Sequence, residues 1–150
     1  MRTGPDRTAL AALALGIAGV AVSGYLTVVH YGGVALACQQ SSLIDCEAVT
    51  TSSYSLIPGT DLPVSLAGLA WALVVVGLAS ALLSGARGAD VILLVWSAVA
   101  MIPVLYLVWA EIVIVHRICL WCTVFHAIVL GTLLAALVRL QGAAALEEQV

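Results

Sequence analysis

Val91–Val138 reads VILLVWSAVAMIPVLYLVWAEIVIVHRICLWCTVFHAIVLGTLLAALV, and its only charged side chains are Glu111 and Arg117. Apolar residues run from Val91 to Val115 and again from Ile118 to Val138, parted only by His116 and Arg117. Each run has the roughly 20 residues that cross about 30 Å of hydrocarbon at about 1.5 Å per residue. Isolated strands cannot satisfy their backbone in lipid, so both runs read as membrane helices joined by a tight turn.

Two further runs lie upstream, Thr8–Val29 and Leu62–Leu83, which makes four spans near 8–29, 62–83, 91–115 and 118–138. The composition agrees. Of 150 residues, 63% are hydrophobic and 9% are charged, with no lysine. A globular protein carries roughly a quarter charged residues, so water is the wrong solvent for most of this chain. The net charge of −3, without basic clusters, excludes a nucleic-acid partner, and the hydrophobicity excludes disorder. No repeat and no soluble segment of domain size is visible. The expectation is an all-α integral membrane protein, with residues 1–150 forming a single four-helix membrane domain whose partner is lipid.

Arginines orient the bundle. Arg2, Arg7, Arg87 and Arg139 fall on one side of a four-pass chain, and Arg117 alone falls on the other. The positive-inside rule then puts both termini in the cytoplasm and the long loop 31–61 outside. An alternative reads the start as a signal peptide cleaved at Ala35-Leu36-Ala37. The apolar stretch of about 22 residues exceeds the 7–15 of such a region, so a retained helix is expected. Gly16, Gly19, Ser23, Gly24, Gly68, Ala72 and Gly77 suit close helix packing. Pro103 is expected to kink the third helix and free a carbonyl. Trp109 and Trp121 suit an interfacial belt or the packing of a cap.

The four cysteines, Cys38, Cys46, Cys119 and Cys122, all fall at or near the outer face of this topology. The outside of a bacterial membrane, or the ER lumen, permits disulfides. Cys38 and Cys46 share a polar loop and are near enough to bridge, whereas Cys119-Leu120-Trp121-Cys122 is a C-x-x-C at the first turn of the fourth helix. A helix N-terminus favours a thiolate there. One loop pair and one membrane pair suggest a thiol–disulfide relay. The competing readings are two structural disulfides on a non-enzymatic scaffold, a four-cysteine zinc site, and b-type haem on His30, His116 or His126. The Cys38–Cys46 gap is too long for usual zinc spacing, and Thr123 after the C-x-x-C precludes covalent c-type haem. No metal is therefore expected. No nucleotide fingerprint is present either. A C-x-x-C at the bilayer edge meets a lipid-soluble two-electron carrier, so a quinone is the expected acceptor.

The ordered set of Cys38, Cys46, Ser52, the Gly59 to Gly68 entry into the second helix, Cys119-x-x-Cys122, Thr123 and His126 resembles the vitamin K epoxide reductase (VKOR) family, and specifically its bacterial members. The resemblance covers about residues 10–140. It implies a four-helix bundle around a quinone of the menaquinone, ubiquinone or vitamin K type, capped by the outer loop. It also implies catalytic roles for all four cysteines. Cys38 would exchange with a separate periplasmic thioredoxin-fold (DsbA-like) protein, Cys46 would exchange with Cys119, and Cys122 would face the quinone. Ser52 would support the site, and His126, Val64, Ser65 and Gly68 would contact the quinone. In the bacterial cytoplasmic membrane this chemistry supports disulfide-bond formation.

Some family members carry a fused thioredoxin-like domain behind a fifth helix; in this chain the expectation is a separate partner. Animal members have an asparagine near the start of the second helix and a tyrosine four residues after the C-x-x-C. Val64 and His126 stand there in this chain, which points away from the alternative of vitamin K epoxide reduction. A DsbB-type oxidase has its C-x-x-C in the first outer loop, the reverse of the order here. Glu111, about two turns before Cys119, is an ionisable group at membrane depth. It is read as hydrated near the outer interface and paired with Arg117, outside the catalytic set.

Overall fold

The computed structural model describes residues 6–38 and 40–147; Arg2, one of the orienting arginines, lies outside them. Four long apolar helices form the frame: α1 (Arg7–Gly32), α3 (Val64–Leu83), α4 (Ala89–Trp109) and α5 (Leu120–Glu147). All four are long and apolar enough to cross a membrane. The helix α4 continues as π-helical turns over Ala110–Val115, and the loop after α1 holds a short helix, α2 (Cys46–Thr50), and a 3₁₀ turn (Ser53–Ser55). Neighbours pack as α1 on α3, α3 on α4, α4 on α5 and α5 on α1, which closes a ring of four helices.

Capping chemistry decides where the helices begin. The carboxylate of Asp6 accepts hydrogen bonds from the Ala9 N–H (3.3 Å) and the Thr8 hydroxyl (2.8 Å), so α1 starts at Arg7. Pro63 holds φ near −70° and delays α3 to Val64. At α5 the cap is a thiol. The Cys119 sulfur accepts the Cys122 N–H at 3.2 Å, and the helix begins at Leu120 rather than Ile118. The same helix runs on to Glu147, past the expected end at Val138, through an alanine-rich stretch that favours helix without needing lipid. The helix α1 likewise runs on to Gly32 and stops at Gly33, whose φ of 59° breaks it.

Without a hydrophobic drive between helices in lipid, close packing has to hold the ring together. A Cβ on Gly19 would stand 3.1 Å from the Ala72 Cβ, and one on Gly16 would stand 3.0 Å from Val76, so α1 and α3 meet nearly backbone to backbone. Gly24 and Gly77, read with them as packing positions, face open space and play no such part. Pro103 lies within an unbroken α4 and removes the donor that the Val99 carbonyl would otherwise receive.

The chain ends of the bundle are tied by one ion pair, between Arg139 of α5 and Asp6 at the head of α1. Burial works to raise the pKa of the Asp6 carboxyl. The hydrogen bonds from Arg139, Thr8 and Ala9, with the guanidinium charge, outweigh it and hold the pKa down to about 2. A carboxyl depressed in the folded state contributes stability that is fully present above its unfolded pKa and is lost as pH falls through the folded one. Stability in detergent should therefore drop between about pH 4 and pH 2 for the wild type. Asp6→Asn should be less stable by about 1–2 kcal/mol at neutral pH and flat across that window. Thermal unfolding at stepped pH checks both, and parallel curves for the two proteins would refute the assignment.

Candidate active site

The end of the bundle away from the Asp6–Arg139 pair collects the cysteines. The turn from α4 to α5 is abrupt. His116 takes the left-handed conformation (φ 53°), rare outside glycine, and its ring nitrogen Nδ1 meets the Ile112 carbonyl at 3.1 Å. Ile118 then pairs with Ile44 of the loop as an isolated parallel bridge. The Ile118 N–H donates to the Leu43 carbonyl at 2.9 Å, and the Asp45 N–H donates to the Ile118 carbonyl at 3.1 Å. Asp45 in turn caps α2 by accepting the Ala48 N–H at 3.0 Å, so Cys46 opens that helix directly beside the C-x-x-C.

A second strap holds the other side of the loop. The Tyr25 hydroxyl of α1 accepts the Ala37 N–H, and the Trp121 indole N–H of α5 donates to the Ala37 carbonyl, both at 2.9 Å. The two rings pack against each other with centroids 4.8 Å apart. Trp121 thus serves to pack the cap, while exposed Trp109 stacks on Tyr106.

The result is one buried cluster holding both cysteine pairs. Cys38 and Cys46 are joined by a disulfide with their Cα atoms 6.2 Å apart, and Cys119 and Cys122 are free thiols. Cys46 and Cys119 are both 0% exposed and pack with Val49, Leu36, Val115 and Trp121. A hydrogen bond from the Cys122 thiol holds Cys119 below the usual thiol range, and the N–H groups of Cys122 and Trp121 add to it. Burial and the nearby Glu111 carboxylate act in the opposite sense without reversing it. Cys119 is therefore the better nucleophile of the two.

Beneath this cluster lies a cavity of about 440 Å³. Cys122, Ser52, Val64, Ser65, Gly68 and His126 all line it. Ser52 spends its hydroxyl on the Val49 carbonyl (2.7 Å), closing the end of α2. Ser65 accepts from the Thr27 hydroxyl at 3.0 Å. The ring of His126 has no hydrogen-bond partner among the described residues. The wall opposite is aromatic. Phe125 meets Trp71 edge-on at 5.8 Å, and a Cβ on Gly68 would stand 2.9 Å from the Phe125 ring, so glycine leaves the ring its place.

Three site residues escape a sequence reading. Tyr25 and Trp71 look like ordinary membrane aromatics, and only their placement shows the strap and the wall. Glu111 is the third, and its expected pairing with Arg117 is overturned. The Arg117 guanidinium donates to the His116 carbonyl at 2.9 Å, and Asp6–Arg139 is the only ion pair among the described residues. Glu111 is instead 6% exposed and shares with Cys122 the wall of the cavity, its carboxyl turned toward the C-x-x-C. The π-helical turns bring it there, because one extra residue per turn shifts which side chain faces inward. Its membrane depth was the available signal.

No curated protein matches the chain in a sequence search. The profile of the vitamin K epoxide reductase family matches residues 10–137, nearly the whole length. With four membrane-length helices and two cysteine pairs gathered over an apolar cavity, the chain belongs to the vitamin K epoxide reductase family, membrane-embedded thiol–disulfide oxidoreductases linked to quinone.

Proposed function

We propose that this protein is a bacterial disulfide-forming member of the family, carrying electrons from a separate thioredoxin-fold (DsbA-like) protein to a membrane quinone. The observation that carries this reading is the seating of the Cys38–Cys46 disulfide in the same buried cluster as Cys119. The net reaction is partner dithiol plus quinone giving partner disulfide plus quinol. The arginines support an orientation with both termini in the cytoplasm of a bacterial inner membrane and the cysteines at the outer face. Val64 and His126 favour this over epoxide reduction.

In the first step a partner thiolate attacks the Cys38 sulfur, breaking the Cys38–Cys46 bond and releasing Cys46 as a thiolate. The partner's second thiol then displaces Cys38, leaving oxidised partner and a reduced loop pair. Cys46 attacks Cys119 when the C-x-x-C is oxidised, Cys122 leaves, and Cys38 closes on Cys46 again. Electrons have now moved to Cys119 and Cys122, which matches the disulfide and thiol pattern described above. Each exchange conserves one disulfide and moves two electrons.

The cavity fits a quinone ring. Its volume of about 440 Å³ lies in the range of small-molecule sites, and its walls are aromatic and aliphatic. The Trp71 indole N–H is buried in that wall without a hydrogen-bond partner among the described residues, a donor that a ring oxygen would satisfy. His126 offers a second polar contact. The quinone supplies a two-electron acceptor at the end of the relay, and Cys122 is the cysteine that lines its cavity.

Purified protein given a reduced thioredoxin-fold partner should reduce quinone, and Cys119→Ser and Cys122→Ser should each lose on the order of 100-fold or more in rate. Cys38→Ser should fail with the protein partner yet work with dithiothreitol, and should accumulate a Cys46–Cys119 disulfide visible by peptide mapping. Wild-type rates in all three variants would sink the relay. Gly68→Ala should push the Phe125 ring into the cavity and raise the quinone KM about 3- to 10-fold. Thiol exchange between the two cysteine pairs should be untouched, and an unchanged KM would remove Gly68 from the site.

A further inference from the structure

Resting on the electron path just proposed, we infer that Glu111 is the proton acceptor and donor for the Cys122 thiol. The geometry that carries this is a buried carboxyl in the wall of the cavity that Cys122 also lines, close enough to the C-x-x-C for the two to act on each other electrostatically. A carboxyl at membrane depth is costly and needs a partner. No cation provides one, because Arg117 is turned to the His116 carbonyl. What lies beside it instead is the C-x-x-C.

The backbone is arranged to keep it there. The Glu111 carbonyl accepts the N–H of both His116 and Arg117, the latter at 3.1 Å, so the residue closing the π-helical turns is the one whose side chain meets the thiols. His126 shares with Glu111 the walls of the main cavity and of a second one of about 390 Å³ between α4 and α5. The titratable groups around the carboxyl are Cys119 at the cap of α5 and Cys122 and His126 within it. The loop helix contributes Cys46, held in its disulfide, and an outward-facing Glu47. The charged and titratable groups of the turn, His116 and Arg117, are bonded to carbonyls.

The chemistry needs such a group. Closing the Cys119–Cys122 bond breaks the Cys122 S–H bond, and two electrons leave for the quinone. Cys119 is held as the better thiolate and leaves the exchange with the loop pair already deprotonated. Cys122 lies over an apolar cavity, and the Glu111 carboxylate in the same wall takes its proton. That proton and one from the aqueous face complete the two that quinol formation requires. In the opposite half-cycle the Cys46 thiol gives up its proton as it attacks Cys119, Glu111 takes up that proton, and the carboxyl passes it to Cys122 as that sulfur departs. One carboxyl thus serves as base and then as acid at a single sulfur.

The test is made on the reduced full-length protein in detergent, following Cys119 alkylation by iodoacetamide against pH through peptide mass, with quinone turnover measured alongside. Glu111→Gln should lower turnover on the order of 100-fold with the quinone KM unchanged. The same variant should move the alkylation profile to lower pH, because an opposing charge beside Cys119 has gone. A residue that only filled space would not make the thiol more reactive while slowing the enzyme. Glu111→Asp keeps an acceptor and should recover turnover relative to Gln. Equal impairment of the Asp and Gln variants, wild-type turnover in Gln, or an unmoved alkylation profile would each overturn the proposal. Cys122→Ser run in parallel separates the failures. If it is dead while Glu111→Gln is active, only the carboxyl's role falls. If both are active, the electron path itself has failed.

Discussion

Two backbone hydrogen bonds, one on each side of Ile118, hold this site together. The residue sits where the chain reverses between two membrane helices, and there its N–H and carbonyl have no helical partners. In a low-dielectric setting each unmet group costs on the order of a few kcal/mol. The loop supplies both partners, through Leu43 and Asp45. The same bonds fix the register of the loop, so that Cys46 arrives next to Cys119. Satisfying the backbone and aligning the thiols are therefore one event.

The apolar ring below is built on a different principle. Helices α1 and α3 are brought together by glycine and alanine, while the half facing α4 and α5 carries large rings at Trp71, Trp96 and Phe125. Close approach on one side and bulk on the other leave space between them. Small residues therefore act in two ways: Gly16 and Gly19 let α1 close on α3, and Gly68 gives the Phe125 ring its place.

The four spans and the gathering of the cysteines at one end were legible because lipid demands long apolar runs, and helix count then dictates which loops share a side. The helix ends were less so. Asp6 is a familiar cap, but a cysteine sulfur in that role at Cys119 is not announced by residue type. Glu111 lies on a helix that is apolar all round, so periodicity could not tell its facing, and the π-helical turns would have misled a regular 3.6-residue count. Ala37 is met by Tyr25 and Trp121 across 12 and 84 residues of sequence, contacts no local pattern encodes.

The strap at Ala37 has a bearing on how the loop can behave. Ala37 is pinned by Tyr25 and Trp121, and Ile44 is pinned by Ile118. Between those anchors Cys38 sits on a tether of a few residues, each spanning at most about 3.5 Å. Its sulfur cannot swing far into the aqueous phase, even with the disulfide open. If Cys38 is the entry point of the proposed relay, its partner has to descend onto the membrane surface to reach it, which favours partners whose own reactive thiol projects from a flat or shallow face.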